Sequence, residues 1–161
     1  DISDEAADKL TYDQVNAMAH WMQNGAQPTL DSLQTLHQKA PDTLYDLLDY
    51  LRDAPLYAAV TAGDRDFILT HAGLGSFRPG RKLAQYAPDD LLWHRPAAED
   101  RYFPDVTVIF GHTPTQFFAD GKAGRMYRTD TWIDIDTGAA GGGAAMVLRL
   151  DDLKPFYRKG R

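Results

Sequence analysis

Two runs of strand-forming residues in this chain each end on a histidine, and that pairing constrains its fold more than any other feature. Phe67-Ile68-Leu69 leads into Thr70-His71-Ala72-Gly73, and Val106 to Phe110 leads into Gly111-His112-Thr113-Pro114. Glycine, threonine or proline follows each histidine within two residues and ends the extended run. Two imidazoles are therefore expected at strand ends, where the turning backbone leaves room for an ion or a ligand. Val106 to Phe110 is a continuous β-forming run, apolar but for Thr107, which predicts a strand buried on both faces of a sheet.

The rest of the chain divides into a helical stretch, residues 1–55, and a strand-rich stretch, residues 56–161, expected to form a single domain. Tyr12 to Gln23 reads as a helix entered at Thr11 and stopped at Asn24-Gly25. A second helix starts at Pro28-Thr29 with Leu30, Leu33 and Leu36 on one face. A third starts at Pro41, and its Leu44, Leu47, Leu48 and Leu51 recur at the i, i+3, i+4, i+7 spacing of a buried stripe. Leu56–Thr61 and Phe67–Thr70 read as strands around a Gly63-Asp64 turn. Residues 75–104 are loop-rich, with a short helix near Asp89 to His94. Arg125–Arg128, Trp132–Asp136 and Ala144–Leu150 read as further strands. Helices followed by short strands predict an α+β fold, a mixed sheet with helices packed on its outer side.

Composition excludes several functions. The chain carries a net charge of −6, which argues against nucleic acid as a partner. Its one basic cluster, Lys154 to Arg161, reads as a solvated tail. There is no cysteine, which removes disulfides, thiolate zinc sites and a cysteine nucleophile, so any metal must be held by imidazole and oxygen. No apolar run is long enough to span a bilayer, and the acidic stretch Asp1 to Asp8 lacks the features of a signal peptide. The expectation is a cytoplasmic protein without membrane contact. The few serines sit in no Gly-x-Ser-x-Gly elbow, which argues against serine hydrolase chemistry.

Four segments in order carry a resemblance: Thr70-His71-Ala72-Gly73-Leu74, Leu91-Leu92-Trp93-His94-Arg95, Val108-Ile109-Phe110-Gly111-His112-Thr113-Pro114 and Ile133-Asp134-Ile135-Asp136-Thr137-Gly138-Ala139. The chain resembles the calcineurin-like metallophosphoesterases, in particular the bacterial serine/threonine protein phosphatase branch of the phosphoprotein phosphatase family. The resemblance implies a part of an α/β/β/α sandwich. It implies a metal-dependent phosphoric monoester hydrolase with two divalent ions, manganese first and iron, zinc or nickel as alternatives. His71 and His112 match two metal ligands, and Arg95 matches the arginine that grips the substrate phosphate. Guanidinium suits that role because it offers paired, permanently charged donors. Gly111 and Thr113, flanking a ligand, are expected to shape the turn or support it.

The same family carries an Asp-x-His pair, a bridging aspartate and an Asn-His pair ahead of these motifs, and none is present here. The resemblance therefore implies the C-terminal part of a longer enzyme, with the other ligands on a missing N-terminal segment or another chain. The isolated chain is expected to be weakly active or inactive. The expected substrate is a phosphorylated protein or a small phosphoester. A dinucleoside polyphosphate hydrolase of the same fold and a non-catalytic scaffold module remain as alternatives. Among the other notable residues, His20 and His37 read as surface or packing residues and His94 as structural. Asp134 and Asp136 read as a solvent face or as hydrogen-bond partners of nearby turns. Gly141-Gly142-Gly143 reads as a sheet turn, and Trp93 and Trp132 as core near the site.

Overall fold

The computed structural model describes residues 9–158. The acidic stretch Asp1 to Asp8 and the last three residues of the basic tail lie outside them. The contacts divide the chain into two compact units, one ending at Ala54 and the other beginning at Pro55. The division falls where the sequence switches from helical to strand-forming residues.

The first unit contains α1 (Tyr12–Gln23), α2 (Gln27–Lys39) and α3 (Pro41–Arg52). Thr11 starts α1 through a capping box: its hydroxyl accepts from the Gln14 N–H, and the Gln14 side chain accepts from the Thr11 N–H. This arrangement satisfies backbone donors that the first turn leaves open. Prolines in the first turns of α2 and α3 suit positions whose N–H has no helical partner. The leucine stripe of α3 is only partly covered within this unit. Leu44, Leu47 and Leu48 are half-buried and Leu51 is exposed, where the spacing predicts a fully buried face.

The second unit is built on a five-stranded mixed sheet of β1 (Tyr57–Ala62), β2 (Arg65–Thr70), β3 (Val106–Phe110), β4 (Tyr127–Arg128) and β5 (Trp132–Asp134), in the order β1-β2-β3-β5-β4. The predicted α+β class is observed. β1 and β2 form a hairpin closed by Gly63-Asp64, with Gly63 at the positive φ that such a tight turn requires. β2, β3 and β5 run parallel, and β4 runs antiparallel to β5. Side chains alternate between faces along each strand. Ile68, Val108, Phe110 and Trp132 belong to one apolar cluster, which the long loop after β2 covers with Leu74, Tyr86, Leu91 and Tyr102. Phe67, Ile109 and Ile133 belong to a second cluster, joined by Leu153.

Leu153 sits at the turn of a separate hairpin, β6 (Ala145–Arg149) and β7 (Lys154–Arg158), whose Leu148 also packs on the second cluster. The basic tail is thus corrected: Lys154–Arg158 is a paired strand rather than a solvated terminus. Its alternation places Pro155 and Tyr157 inward and its charges outward. Between β5 and β6 the glycine run does form a turn, in which Gly143 packs against the Thr137 and Gly138 carbonyls too closely for any side chain. Among the described residues, no helix is long and apolar enough to cross a membrane.

Candidate metal and phosphate site

Parallel strands place all their carboxyl ends at one edge of a sheet, and ligands of such sheets bind outside that edge. His71 follows the last residue of β2, Gly111 and His112 follow β3, and Ile135 and Asp136 follow β5. Backbone bonds tie the three strand ends together. The Gly111 N–H donates to the His71 carbonyl at 3.0 Å, Ile135 to Phe110 at 2.8 Å and Thr115 to Asp136 at 2.9 Å. Together with Leu69 and Thr70, these residues line an open cavity of about 330 Å³.

His71 and His112 meet across this edge. His71 Nε2 and His112 Nδ1 are 3.2 Å apart, although 41 residues separate them in sequence. The turn that delivers His112 is unusual. Its φ is +69°, and the Thr113 N–H donates to the Gly111 carbonyl two residues back at 2.8 Å. A positive φ with an i→i+2 bond marks a γ-turn of the rare, strained hand. Strain at a non-glycine residue persists only where the surroundings impose it, and such sites cluster at ligand-holding positions. Burial, and next the neighbouring His71 and Arg95, hold the His112 pKa below the usual histidine value, with Asp136 opposing. The shift favours the neutral ring, the form with a lone pair to give.

Arg95 reaches the same turn, its Nη1 donating to Thr113 Oγ1 at 3.3 Å while its remaining donors are open to a ligand. The segment before it, α4 (Pro88–Leu92), is fastened to the His71 loop: the Ala72 N–H donates to the Leu91 carbonyl and Gly75 to Asp90, both at 2.8 Å. Gly73 allows that loop to pass close. A Cβ there would meet Tyr102 Oη at 2.9 Å and Pro96 Cγ at 3.0 Å, and its φ is +88°.

Both predicted ligands, Arg95, Gly111 and Thr113 are thus brought to one place. Other expectations change. Trp132 is core, but Trp93 is 39% exposed and stands edge-to-face against His112, with ring centroids 5.6 Å apart. His94 points elsewhere, 3.8 Å from Asp100. Asp134 is 0% exposed, because β5 is buried on both faces rather than one. Its Oδ1 accepts from the Asp136 N–H at 2.7 Å, while its Oδ2 is buried without a partner. Burial pushes the Asp134 carboxyl up to about 8. Asp136 caps the next turn by accepting from the Gly138 N–H, and it lines the cavity beside the histidines. The sequence signal that marks it is its position two residues past the end of β5, as His112 stands two past the end of β3.

The donor set fits part of a metal site. Nitrogens each about 2.0–2.1 Å from one ion stand roughly 2.8–3.4 Å apart when they subtend angles between a right angle and the tetrahedral value. The observed 3.2 Å lies in that interval. Among the described residues there is no group of three or more histidine, cysteine or acidic side chains able to enclose an ion. No protein-family model matches the sequence, and no curated protein matches it either.

Proposed function

We propose that this chain carries the histidine half of a two-metal phosphoesterase site, within a metal-dependent phosphoric monoester hydrolase of the calcineurin-like metallophosphoesterase kind. On this reading the five-stranded sheet is one layer of the α/β/β/α sandwich, and the protein works in the cytoplasm on phosphoserine or phosphothreonine in proteins. The observation that carries it is the approach of His71 Nε2 to His112 Nδ1 at the carboxyl edge of parallel strands, with the Arg95 guanidinium beside them.

Each residue has a task in that chemistry. His71 and His112 would hold one divalent ion through their imidazole nitrogens, a donor type suited to manganese, iron, zinc or nickel. A pair of such ions, when bound, would supply Lewis-acid stabilisation of the phosphoryl charge and make a nearby water more acidic. Arg95 binds the substrate phosphate through the donors Thr113 leaves open, and the bond to Thr113 fixes the plane of its fork. Gly111 carries the chain from β3 into the His112 turn beside Asp136, where an added Cβ would make only an ordinary contact, 3.5 Å from the Asp136 Cβ. Bridging carboxylates and the remaining ligands come from a further segment or a second chain, so the 161 residues alone turn over substrate weakly or not at all.

A second reading, a non-catalytic module that keeps the fold, is favoured by the absence of a third ligand among the described residues. The test is turnover of a phosphoserine peptide, para-nitrophenyl phosphate and a dinucleoside tetraphosphate by manganese-loaded protein that includes whatever precedes Asp1 in its reading frame. Phosphopeptide hydrolysis that falls at least a hundredfold in His71→Ala/His112→Ala supports the proposal. Preference for the dinucleoside substrate would redirect it, and equal rates in wild type and variant would end it.

A further inference from the structure

His112 Nε2 is buried and has no hydrogen-bond partner. A buried ring nitrogen without a partner costs free energy and calls for a physical account. The other ring nitrogen, Nδ1, faces His71 Nε2 at bonding distance. Two tautomers satisfy that contact. Either His71 donates and His112 carries its proton on Nε2, or His112 donates from Nδ1 and leaves a bare lone pair on Nε2.

The indole of Trp93 stands against this ring. It stands at 89° to the imidazole with centroids 5.6 Å apart, an edge-to-face arrangement. An aromatic face is electron-rich and the edge of a ring is positive, so a face attracts an N–H and repels a lone pair. We infer that the Trp93 indole face accepts the His112 Nε2–H and thereby holds the ring as the tautomer whose Nδ1 lone pair faces His71. Hydrogen bonds tie the neighbouring segments together: the Trp93 backbone N–H donates to the Asp89 carbonyl, the Ala72 N–H in the His71 loop donates to the Leu91 carbonyl, and Arg95 donates to Thr113 in the His112 loop. Trp93 is therefore a positioning residue acting through His112.

The consequence for metal binding rests on the function proposed above; the tautomer does not. In the usual metal site, the second nitrogen of a histidine ligand donates to a carboxylate or carbonyl, which fixes the ring. Here an aromatic face takes that place.

Long-range 1H–15N NMR on the 161-residue chain tests it without metal. Wild type is expected to show His112 as the Nε2–H tautomer, with that proton shifted upfield by the indole. Trp93→Phe keeps a π face and keeps both signals. Trp93→Leu loses the upfield shift and gains a measurable Nδ1–H population. A wild-type ring protonated mainly on Nδ1 overturns the inference, as does a Trp93→Leu spectrum identical to wild type. Should Trp93→Leu fail to fold, the wild-type tautomer and proton shift decide alone. A zinc titration followed by the same resonances supplies the second arm. The His71 and His112 signals should move together in wild type, with affinity about two- to fivefold weaker in Trp93→Leu and nearly restored in Trp93→Phe. Equal affinities in all three overturn the positioning role. No response of either histidine in wild type overturns the metal reading instead and leaves the tautomer to the first experiment.

Discussion

Replacing His112 by glycine should leave a more stable protein than replacing it by alanine, against the usual ranking of these two residues. At φ +69° every residue with a Cβ crowds its own carbonyl. That costs roughly 1–2 kcal/mol, and alanine keeps the cost while glycine escapes it. Glycine in turn loses more backbone entropy on folding, about 0.5–1 kcal/mol relative to alanine. Both variants remove the same imidazole, its contacts with His71 and Trp93 and its unpartnered Nε2, so those contributions cancel in the comparison. The difference is about 0.5–1 kcal/mol in favour of glycine, a rise in Tm of about 1–4 °C over alanine for a chain of this size. Urea denaturation of the two variants at neutral pH without metal measures it. If His112→Ala is as stable as His112→Gly, the turn is not strained, and strain as a mark of this site is wrong.

Three further outcomes are expected. The buried Asp134 carboxyl, raised to about 8 in the folded chain from 3.8, binds its proton more tightly folded than unfolded, so stability should fall as pH rises from about 4 to 8 and then level off. Asp134→Asn should flatten that slope in urea midpoints taken from pH 5 to 9; a slope unchanged in the variant refutes the assignment. Arg95→Lys should weaken inorganic phosphate binding by about tenfold in calorimetry with the metal-loaded intact protein, because a point charge cannot replace the paired donors. Thr113→Val should weaken it less, and equal affinity in Arg95→Lys would remove Arg95 from the site. Gly143→Ala should destabilise by about 2 kcal/mol or more, since its Cβ would lie 2.4 Å from the Thr137 carbonyl oxygen. Gly141→Ala, with nothing within 4 Å, should cost under about 0.5 kcal/mol in the same thermal melt.

What could be read from the sequence, and what could not, follows from how locally each feature is determined. β3 is legible because a short run dominated by β-branched and aromatic residues, too short for a helix, favours a buried strand, and the strand observed is Val106–Phe110, as the sequence predicts. The ends of β2 and β3 are legible from the glycine, threonine and proline that follow them, which is why His71, His112 and their neighbours were identifiable. β7 was missed because Lys154, Arg158 and Pro155 argue individually against a strand. Only pairing with β6 gives its inward residues something to pack on. The burial of Asp134 was missed because alternation with isoleucines suggests one wet face, whereas β5 lies between β3 and β4 with both faces covered. Trp93, expected to fill the core near the site, is instead partly exposed. Its contact with His112 depends on where a loop of about thirty residues returns to the sheet, and no local pattern encodes that. The γ-turn at His112 is equally silent in sequence, since no glycine marks the position of positive φ.

The claim on which the functional reading rests is that His71 Nε2 and His112 Nδ1 share one divalent ion. A crystal of this chain grown with zinc, measured at wavelengths on either side of the zinc absorption edge, tests it most directly. An anomalous peak about 2.0–2.1 Å from both nitrogens is the predicted result. A direct imidazole–imidazole hydrogen bond persisting at saturating zinc, with no peak between the rings, would contradict it.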